Sequence, residues 1–432
     1  MTTTAFRGGT VVDQSGERAV DVVVDDQTGL VSAIGDGAEA DISIDAEGCL
    51  ILPGFVDLHA HLRQPGNEAA ETIETASRAA ALGGFTAVVA MPNTTPCMDS
   101  AAVVSEVIDH AKSALCEVKP SAAITIGRDG EALAPMGELI ELGVRMFTDD
   151  GTGVQDDQMM RRALEYAGSL VVDDGTSIVL SQHCEVTALS QGGVMHEGAW
   201  SSRLGLGGQP SEAEELMVMR DIALSRLTGV PVHMQHLSTA GSVALVRAAK
   251  AEGHPVTAEA TPHHFTLTDA ECASYDPVFK VHPPLRTQSD VEAIRQGLVD
   301  GTIDAVATDH APHTPDSKEQ PFDQAPPGML GLETAYALAN TELELSTQQL
   351  INVLSTQPAR IGGLADRHGG PIEVGRPANL AIVDPKHAWT VERDDLASLS
   401  TNTPFHGRDV VGKVRHTVFN GEPVVLDGKA VR

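Results

Sequence analysis

Two histidines separated by one residue, in Asp57-Leu58-His59-Ala60-His61-Leu62-Arg63, are the first sign of chemistry in this chain. In an extended strand, residues two apart point the same way, so both imidazoles can reach one metal ion. Alone, such a pair is more often structural or solvent-exposed than ligating. Four further segments change that weighing: Thr148-Asp149-Asp150-Gly151, Gln182-His183-Cys184-Glu185, Gln235-His236-Leu237-Ser238 and Thr308-Asp309-His310-Ala311-Pro312-His313. Each closes a short apolar run. Four histidines (His59, His61, His183, His236), one of the Asp149-Asp150 pair and Asp309 make a nitrogen and oxygen donor set suited to one or two divalent ions. Buried singly these groups would be costly; gathered, they make a centre able to activate water for hydrolysis.

Gathering them requires a fold whose strand ends converge. Apolar runs recur through the middle of the chain: Ile51 to Leu58, Phe85 to Met91, Ala122 to Ile126, Val144 to Phe147, Ile178 to Leu180, Val230 to Met234, Pro255 to Ala258 and Ile303 to Thr308. Helical stretches rich in Ala, Leu and Glu separate them. The runs are continuous more than alternating, as parallel strands buried on both faces should be. Eight strand–helix units predict an α/β fold, a (β/α)8 TIM-like barrel, with its active site at the C-terminal strand ends. A doubly wound sheet would carry a glycine-rich phosphate loop after the first strand, where this chain has Asp57-Leu58-His59-Ala60-His61. No strand leads into Gly205-Leu206-Gly207-Gly208, and Pro210-Ser211 with Glu214 reads as an N-cap and its capping-box glutamate.

The two ends of the chain read differently. Short strands are expected at Gly9 to Val12, Val20 to Val24, Leu30 to Ile34 and Ile42 to Ile44, and again at Asn379 to Val383, Val410-Val411 and Thr417 to Phe419. Asn420-Gly421 between apolar runs signals a hairpin. Residues 1–51 and 366–432 are therefore expected to build one small composite β-sandwich around a catalytic barrel over 52–365.

Composition narrows the function classes. The 432 residues hold 60 Asp and Glu against 29 Lys and Arg, a net charge of −31. So acidic a surface repels phosphate backbones and anionic lipid heads, which argues against nucleic-acid and membrane-surface roles. No run approaches the ~20 apolar residues of a membrane span, and the N-terminus lacks a secretory signal. Five scattered cysteines without a CxxC pair read as reduced thiols. A cytoplasmic protein is expected.

Asp57 to Gly66 (Asp-Leu-His-Ala-His-Leu-Arg-Gln-Pro-Gly), Met91-Pro92-Asn93-Thr94, Phe147-Thr148-Asp149-Asp150-Gly151 and Ala307 to His313 together resemble the bacterial dihydroorotases (class I type) of the amidohydrolase superfamily. The resemblance covers nearly the whole chain, including the β-rich ends. It implies two zinc ions: His59, His61 and Asp309 on one, His183 and His236 on the other, and Asp150 bridging. Many relatives bridge with a carbamylated lysine on strand four, but this chain has no lysine between Lys119 and Lys250. Asp149 is then a loop or supporting carboxylate.

The implied reaction interconverts L-dihydroorotate and N-carbamoyl-L-aspartate in de novo pyrimidine (UMP) biosynthesis. Asp309 would be the catalytic base, taking a proton from water and returning it to the ring nitrogen. Arg63 can clamp the substrate carboxylate bidentately, with a plain surface arginine as the alternative. By similarity Asn93 and His313 complete that pocket, His61 borders it, and Pro327-Gly328 offers backbone groups to the ring. His282 stands where similar sequences often have asparagine, which bears on substrate preference. His263 and His264, also at a strand end, are expected to support the site from behind the ligands or to be structural, and His110, His196, His368, His387 and His416 to have no part in the chemistry. The resemblance also implies a homodimer and, as in some relatives, association with aspartate transcarbamoylase. The competing readings are a hydantoinase, dihydropyrimidinase or allantoinase, or a non-catalytic homologue acting as an assembly partner. The missing lysine and Arg63 argue against the first, and the full ligand set against the second.

Overall fold

The computed structural model describes residues 2–172 and 176–431. Eight parallel strands occupy its middle: β1 (Phe55–Ala60), β2 (Phe85–Ala90), β3 (Glu117–Pro120), β4 (Met146–Phe147), β5 (Val179–Gln182), β6 (Val232–Met234), β7 (Val256–Ala260) and β8 (Ala305–Val306). They form a three-stranded sheet, β3-β2-β1, and a five-stranded sheet, β4-β5-β6-β7-β8. Single parallel bridges, Ala60 with His310 and Ala122 with Phe147, join the sheets at both seams. The bonds from His61 N to His310 O and from Thr148 N to Ala122 O, both 2.8 Å, extend those seams. Buried Asp57 reinforces the first by accepting from Thr308 N at 3.0 Å.

Helices follow most of these strands and turn small residues inward. Helix Ile73–Leu82 buries Ala76, Ala79 and Ala80 and starts at Thr72, whose hydroxyl accepts from Thr75 N. Asp156 and Thr239 cap Asp157–Ser169 and Ala240–Ala251 in the same way. Such caps satisfy amide groups that the first helical turn leaves without partners. No described helix is long and apolar enough to cross a membrane.

Three local expectations need correction. The run Ile51 to Leu58 is two strands, not one: Leu50–Pro53 pairs with Leu380–Val383, and β1 begins only after Gly54. A Cβ on Gly54 would lie 2.2 Å from Thr86 Oγ1, so the crossing between sheets admits only glycine. The third strand is Glu117–Pro120, before Ala122 to Ile126; its Glu and Lys break the continuous apolar run expected of a buried parallel strand. Ser211 makes no side-chain cap, because Glu214 instead accepts from Ser238 N and Thr239 N, both at 3.1 Å.

Both chain ends contribute to one seven-stranded sheet. Thr10–Asp13, Gly16–Ala19 and Leu50–Pro53 join Leu380–Thr390, Asp409–Phe419, Glu422–Leu426 and Lys429–Ala430. A four-stranded sheet of Thr3–Arg7, Val22–Asp25, Leu30–Ile34 and Ile42–Asp45 accompanies it. Phe6, Val11, Val22, Val24, Ile51, Ile382 and Val418 share an apolar cluster fed by both sheets. Asn420 and Gly421, at φ 51° and 75°, close the expected hairpin, the backbone a tight two-residue turn demands. All five cysteines are free thiols, four of them buried.

Candidate metal centre and active site

The six ligand candidates meet at the C-terminal ends of the strands. His59 lies in β1 and His61 just beyond it; Asp150, His183, His236 and Asp309 follow β4, β5, β6 and β8. All six are buried. Arg63, His236 and Asp309 have φ of 62°, 33° and 45°, a left-handed conformation that non-glycine residues seldom adopt. Such backbone persists where the surroundings over-determine it, and it clusters at functional sites.

Asp150 stands at the centre. Its Oδ1 lies 3.3 Å from His59 Nε2, 3.4 Å from His183 Nδ1 and 3.7 Å from His236 Nε2, while Oδ2 lies 3.5 Å from His61 Nε2. Asp309 Oδ1 lies 3.1 Å from His61 Nε2 and 3.5 Å from His59 Nε2. The two carboxylates thus face the histidines from two sides. His59, Asp150 and His236 form one set of potential ligands, and His59, His61 and Asp309 a second. Asp149 turns away, accepting from Ile124 N at 2.8 Å, from Thr125 N at 3.0 Å and from the Thr125 hydroxyl.

Two observations say that a cation fits here. His59 Nε2 and His236 Nδ1 are buried polar atoms with no hydrogen-bond partner, and His59 Nε2 faces both aspartates. The electrostatics point the same way. Burial works against charge on His183, yet Asp150 and Glu185 raise its pKa to about 10. Burial likewise opposes charge on Asp150, but His59, His183 and His236 hold its carboxyl well below the usual range. A pocket that retains two carboxylates this deep demands positive charge.

Neighbouring groups aim the ligands. Glu259 in β7 accepts from His59 Nδ1 at 2.8 Å, and Asn93 Oδ1 accepts from His61 Nδ1 at 2.9 Å. Each fixes a tautomer that leaves Nε2 directed at the cluster. Glu185 lies 3.4 Å from His183 Nε2. Sequence reasoning missed Glu259, whose only signal is a charged residue inside an otherwise apolar strand.

Above the cluster is a cavity of about 250 Å³ lined by His61, Arg63, Asn93, Asp150, His183, His236, His282, Asp309, His313, Pro327 and Gly328. Every substrate-contact candidate therefore borders the same space. Arg63 Nε donates to Pro312 O at 3.0 Å, and burial lowers its pKa only to about 10, so it stays cationic. His313 Nε2 donates to Pro327 O at 2.8 Å; burial, then Arg63, lowers its pKa to about 3. Gly328 has φ 140°, and a Cβ there would lie 2.8 Å from His313 Nε2. His282 Nε2 accepts from Gln209 Nε2 at 2.9 Å, leaving Nδ1 to carry the proton. His264 is tied to Pro283 O at 3.0 Å, and His196 and His368 are buried in hydrogen bonds to Arg286 and Glu117. A larger cleft of about 720 Å³ opens near Lys119, Arg145 and Arg360, at the opposite strand ends, without a ligand cluster among the described residues.

Comparison with known proteins agrees with this geometry. Residues 48–242 match the family model described as dihydro-orotase-like, and residues 269–425 match that of the amidohydrolase family. A dihydroorotase of Pelotomaculum thermopropionicum is 47% identical over 429 residues, covering 98% of each chain. One from Mycobacterium tuberculosis is 49% identical over 426 residues, covering 96% of each. Among solved structures, a dihydropyrimidinase from Brevibacillus agri NCHU1002 has a TM-score of 0.86 at 24% identity, over 99% of this chain and 96% of the other. An L-hydantoinase from Arthrobacter aurescens gives 0.86 at 24%, over 100% and 98%. Those two share the fold with it. Nearly half identical to dihydroorotases along almost its whole length, and carrying a histidine–aspartate cluster where its strands end, the chain belongs to the dihydroorotase family of the amidohydrolases.

Proposed function

We propose that the chain is a zinc-dependent dihydroorotase, adding water across the ring amide of L-dihydroorotate to give N-carbamoyl-L-aspartate and catalysing the reverse closure. The observation that carries this is Asp150, its two oxygens facing different histidines, beneath a cavity walled by the half-buried cation Arg63. His59, His61 and Asp309 would hold one zinc, His183 and His236 the other, with Asp150 between. Bound there, zinc supplies Lewis acidity and brings the pKa of water from ~15.7 toward ~7.

The chain's own residues do the rest. Arg63 pairs with the ring carboxylate, and Asn93, its Oδ1 taken by His61, keeps its amide Nδ2 as a donor. His313 flanks Arg63, while Pro327 and Gly328 line the same wall; with the Gly328 N–H given to Lys280 O, only the free lone pairs of their carbonyl oxygens are left for the ring. Asp309 accepts the proton of the attacking water as the carbon–oxygen bond forms. It returns that proton to the ring nitrogen as the carbon–nitrogen bond breaks, so no further acid is needed. His282 offers Nδ1–H at the cavity wall.

The catalytic body is read as a closed (β/α)8 barrel over 52–365, supported by the bridges at both seams. The small domain is read as residues 1–51 with 366–432, supported by the sheet that strands from both ends share. Leu50–Pro53 crosses the first of those boundaries. A homodimer, docking on aspartate transcarbamoylase and a cytoplasmic location complete the reading, on the strength of the family alone.

Hydantoinase activity is the second reading, favoured by the fold neighbours. Turnover of dihydroorotate, hydantoin and allantoin, measured beside zinc content on one preparation, decides between them. Dihydroorotate hydrolysis with one to two zinc per chain is expected. Hydantoin or allantoin turnover without it would overturn the assignment, and full activity without metal would overturn the mechanism.

A further inference from the structure

Asn402 lies far along the chain from every ligand, in the segment leading to strand Asp409–Phe419, yet its buried side chain reaches into the cavity wall. Its Nδ2 donates to Ala311 O at 3.0 Å and to Gly328 O at 3.2 Å, and its Oδ1 accepts from His313 N at 3.1 Å. Its main-chain carbonyl accepts from Leu330 N at 3.3 Å. One amide thus holds two loops together: 309–313, which continues from Asp309, and 327–330 opposite. Only a side chain with two donors and an acceptor can make all three bonds, which restricts the choice to asparagine or the longer glutamine.

The held atoms flank the substrate groups. Pro312, whose carbonyl orients Arg63 Nε, sits between Ala311 and His313, both bonded to Asn402. His313 in turn donates to Pro327 O, next to Gly328. The segment carrying Asn402 is itself anchored across the site. Leu399 N donates to Glu71 Oε1 at 3.1 Å, and the Ser400 hydroxyl to Ala70 O at 2.6 Å. We propose that Asn402 is a positioning residue for substrate binding: it sets the spacing of the 309–313 and 327–330 loops and so aims Arg63 at the substrate carboxylate.

The inference rests on the reading of Arg63 as the carboxylate clamp. A misplacement of about 1 Å at such a clamp is costly, whereas the metal ligands have their own supports in Glu259 and Asn93. The effect should therefore fall on affinity. Full-length wild-type protein, Asn402→Ala, Arg63→Ala and the double variant are compared for dihydroorotate KM and kcat, zinc content and thermal midpoint. Asn402→Ala is expected to raise KM about 10-fold, with kcat within about 3-fold and zinc unchanged, and to add little in the Arg63→Ala background. A wild-type KM, or an equal further rise in that background, would overturn the proposal; so would joint loss of kcat, zinc and thermal stability. If Asn402→Ala does not fold, Asn402→Asp keeps the acceptor for His313 N–H, loses both donors and is read by the same cycle. A wild-type KM in Arg63→Ala alone would instead overturn the clamp reading, in an arm that leaves Asn402 untouched.

Discussion

Glu259 Oε1 accepts a hydrogen bond from His59 Nδ1 at 2.8 Å, while its other oxygen accepts one from His233 Nε2 at 2.9 Å. Burial pushes this carboxyl up, but the two histidines hold its pKa at about 2, so it is an anion. It can only accept, which places a His59 proton on Nδ1 and leaves Nε2 facing Asp150. Glu259→Gln should weaken metal affinity about 10- to 100-fold, read by competition with a chromophoric chelator. Undiminished affinity would show that His59 is oriented without it.

Asp309 Oδ1 stands 3.1 Å from His61 Nε2 at the cavity floor. Asn in its place keeps the shape but cannot accept the proton of water. Asp309→Asn should lower kcat by about 10²- to 10⁴-fold while the far-UV circular dichroism stays native. Near-normal turnover would remove Asp309 as the proton carrier.

Arg63→Ala removes a half-buried cation whose Nε is already held by Pro312 O. A charge-assisted bond is worth about 1.5–3 kcal/mol, so KM for dihydroorotate should rise about 10- to 100-fold, with kcat changing less. Arg63→Lys should not restore it, since an ammonium lacks the planar fork. Wild-type KM in Arg63→Ala would exclude a carboxylate clamp, and in Arg63→Lys it would exclude the bidentate geometry.

Glu117 lies at the opposite strand ends, 2.9 Å from His368 Nε2 and near Lys119 and Arg367. Burial raises its pKa, but these groups win and bring it to about 2, below the 4.5 of a free carboxyl. Its contribution to stability is therefore full above pH 4.5 and is lost as pH falls toward 2, with a ceiling of about 3 kcal/mol. Glu117→Gln should lower the thermal midpoint at pH 7, and the gap to wild type should narrow below pH 4.5. A gap independent of pH would assign the loss to packing.

The ligand positions were legible because each hangs on the end of an apolar run, where a histidine or aspartate has few other reasons to be. The choice between Asp149 and Asp150 needed either relatives or coordinates; in the structure Ile124 and Thr125 donate to Asp149, while Asp150 faces the histidines. Glu259 is marked locally only by its charge within a strand, which does not say what it touches, because its partner His59 is 200 residues away. Asn402 was hidden for the same reason, its bonds spanning 74 to 91 residues. The third strand carries no continuous apolar run because Glu117 pairs with Lys119 along the strand and with His368 outside the sheet. The capping box at Ser211 had the right spacing, but tertiary partners outbid it for Glu214.

The seven-stranded sheet has a consequence for how the molecule is made. Leu50–Pro53 leaves the ribosome long before its partner Leu380–Val383 is made. Until then one edge of the strand has no neighbour, an invitation to wrong pairing that the nascent chain carries through most of translation. The central strands and their helices lie wholly between these segments and can assemble before release. A chain cut short before residue 380 therefore keeps an open sheet edge that quality-control proteases can recognise.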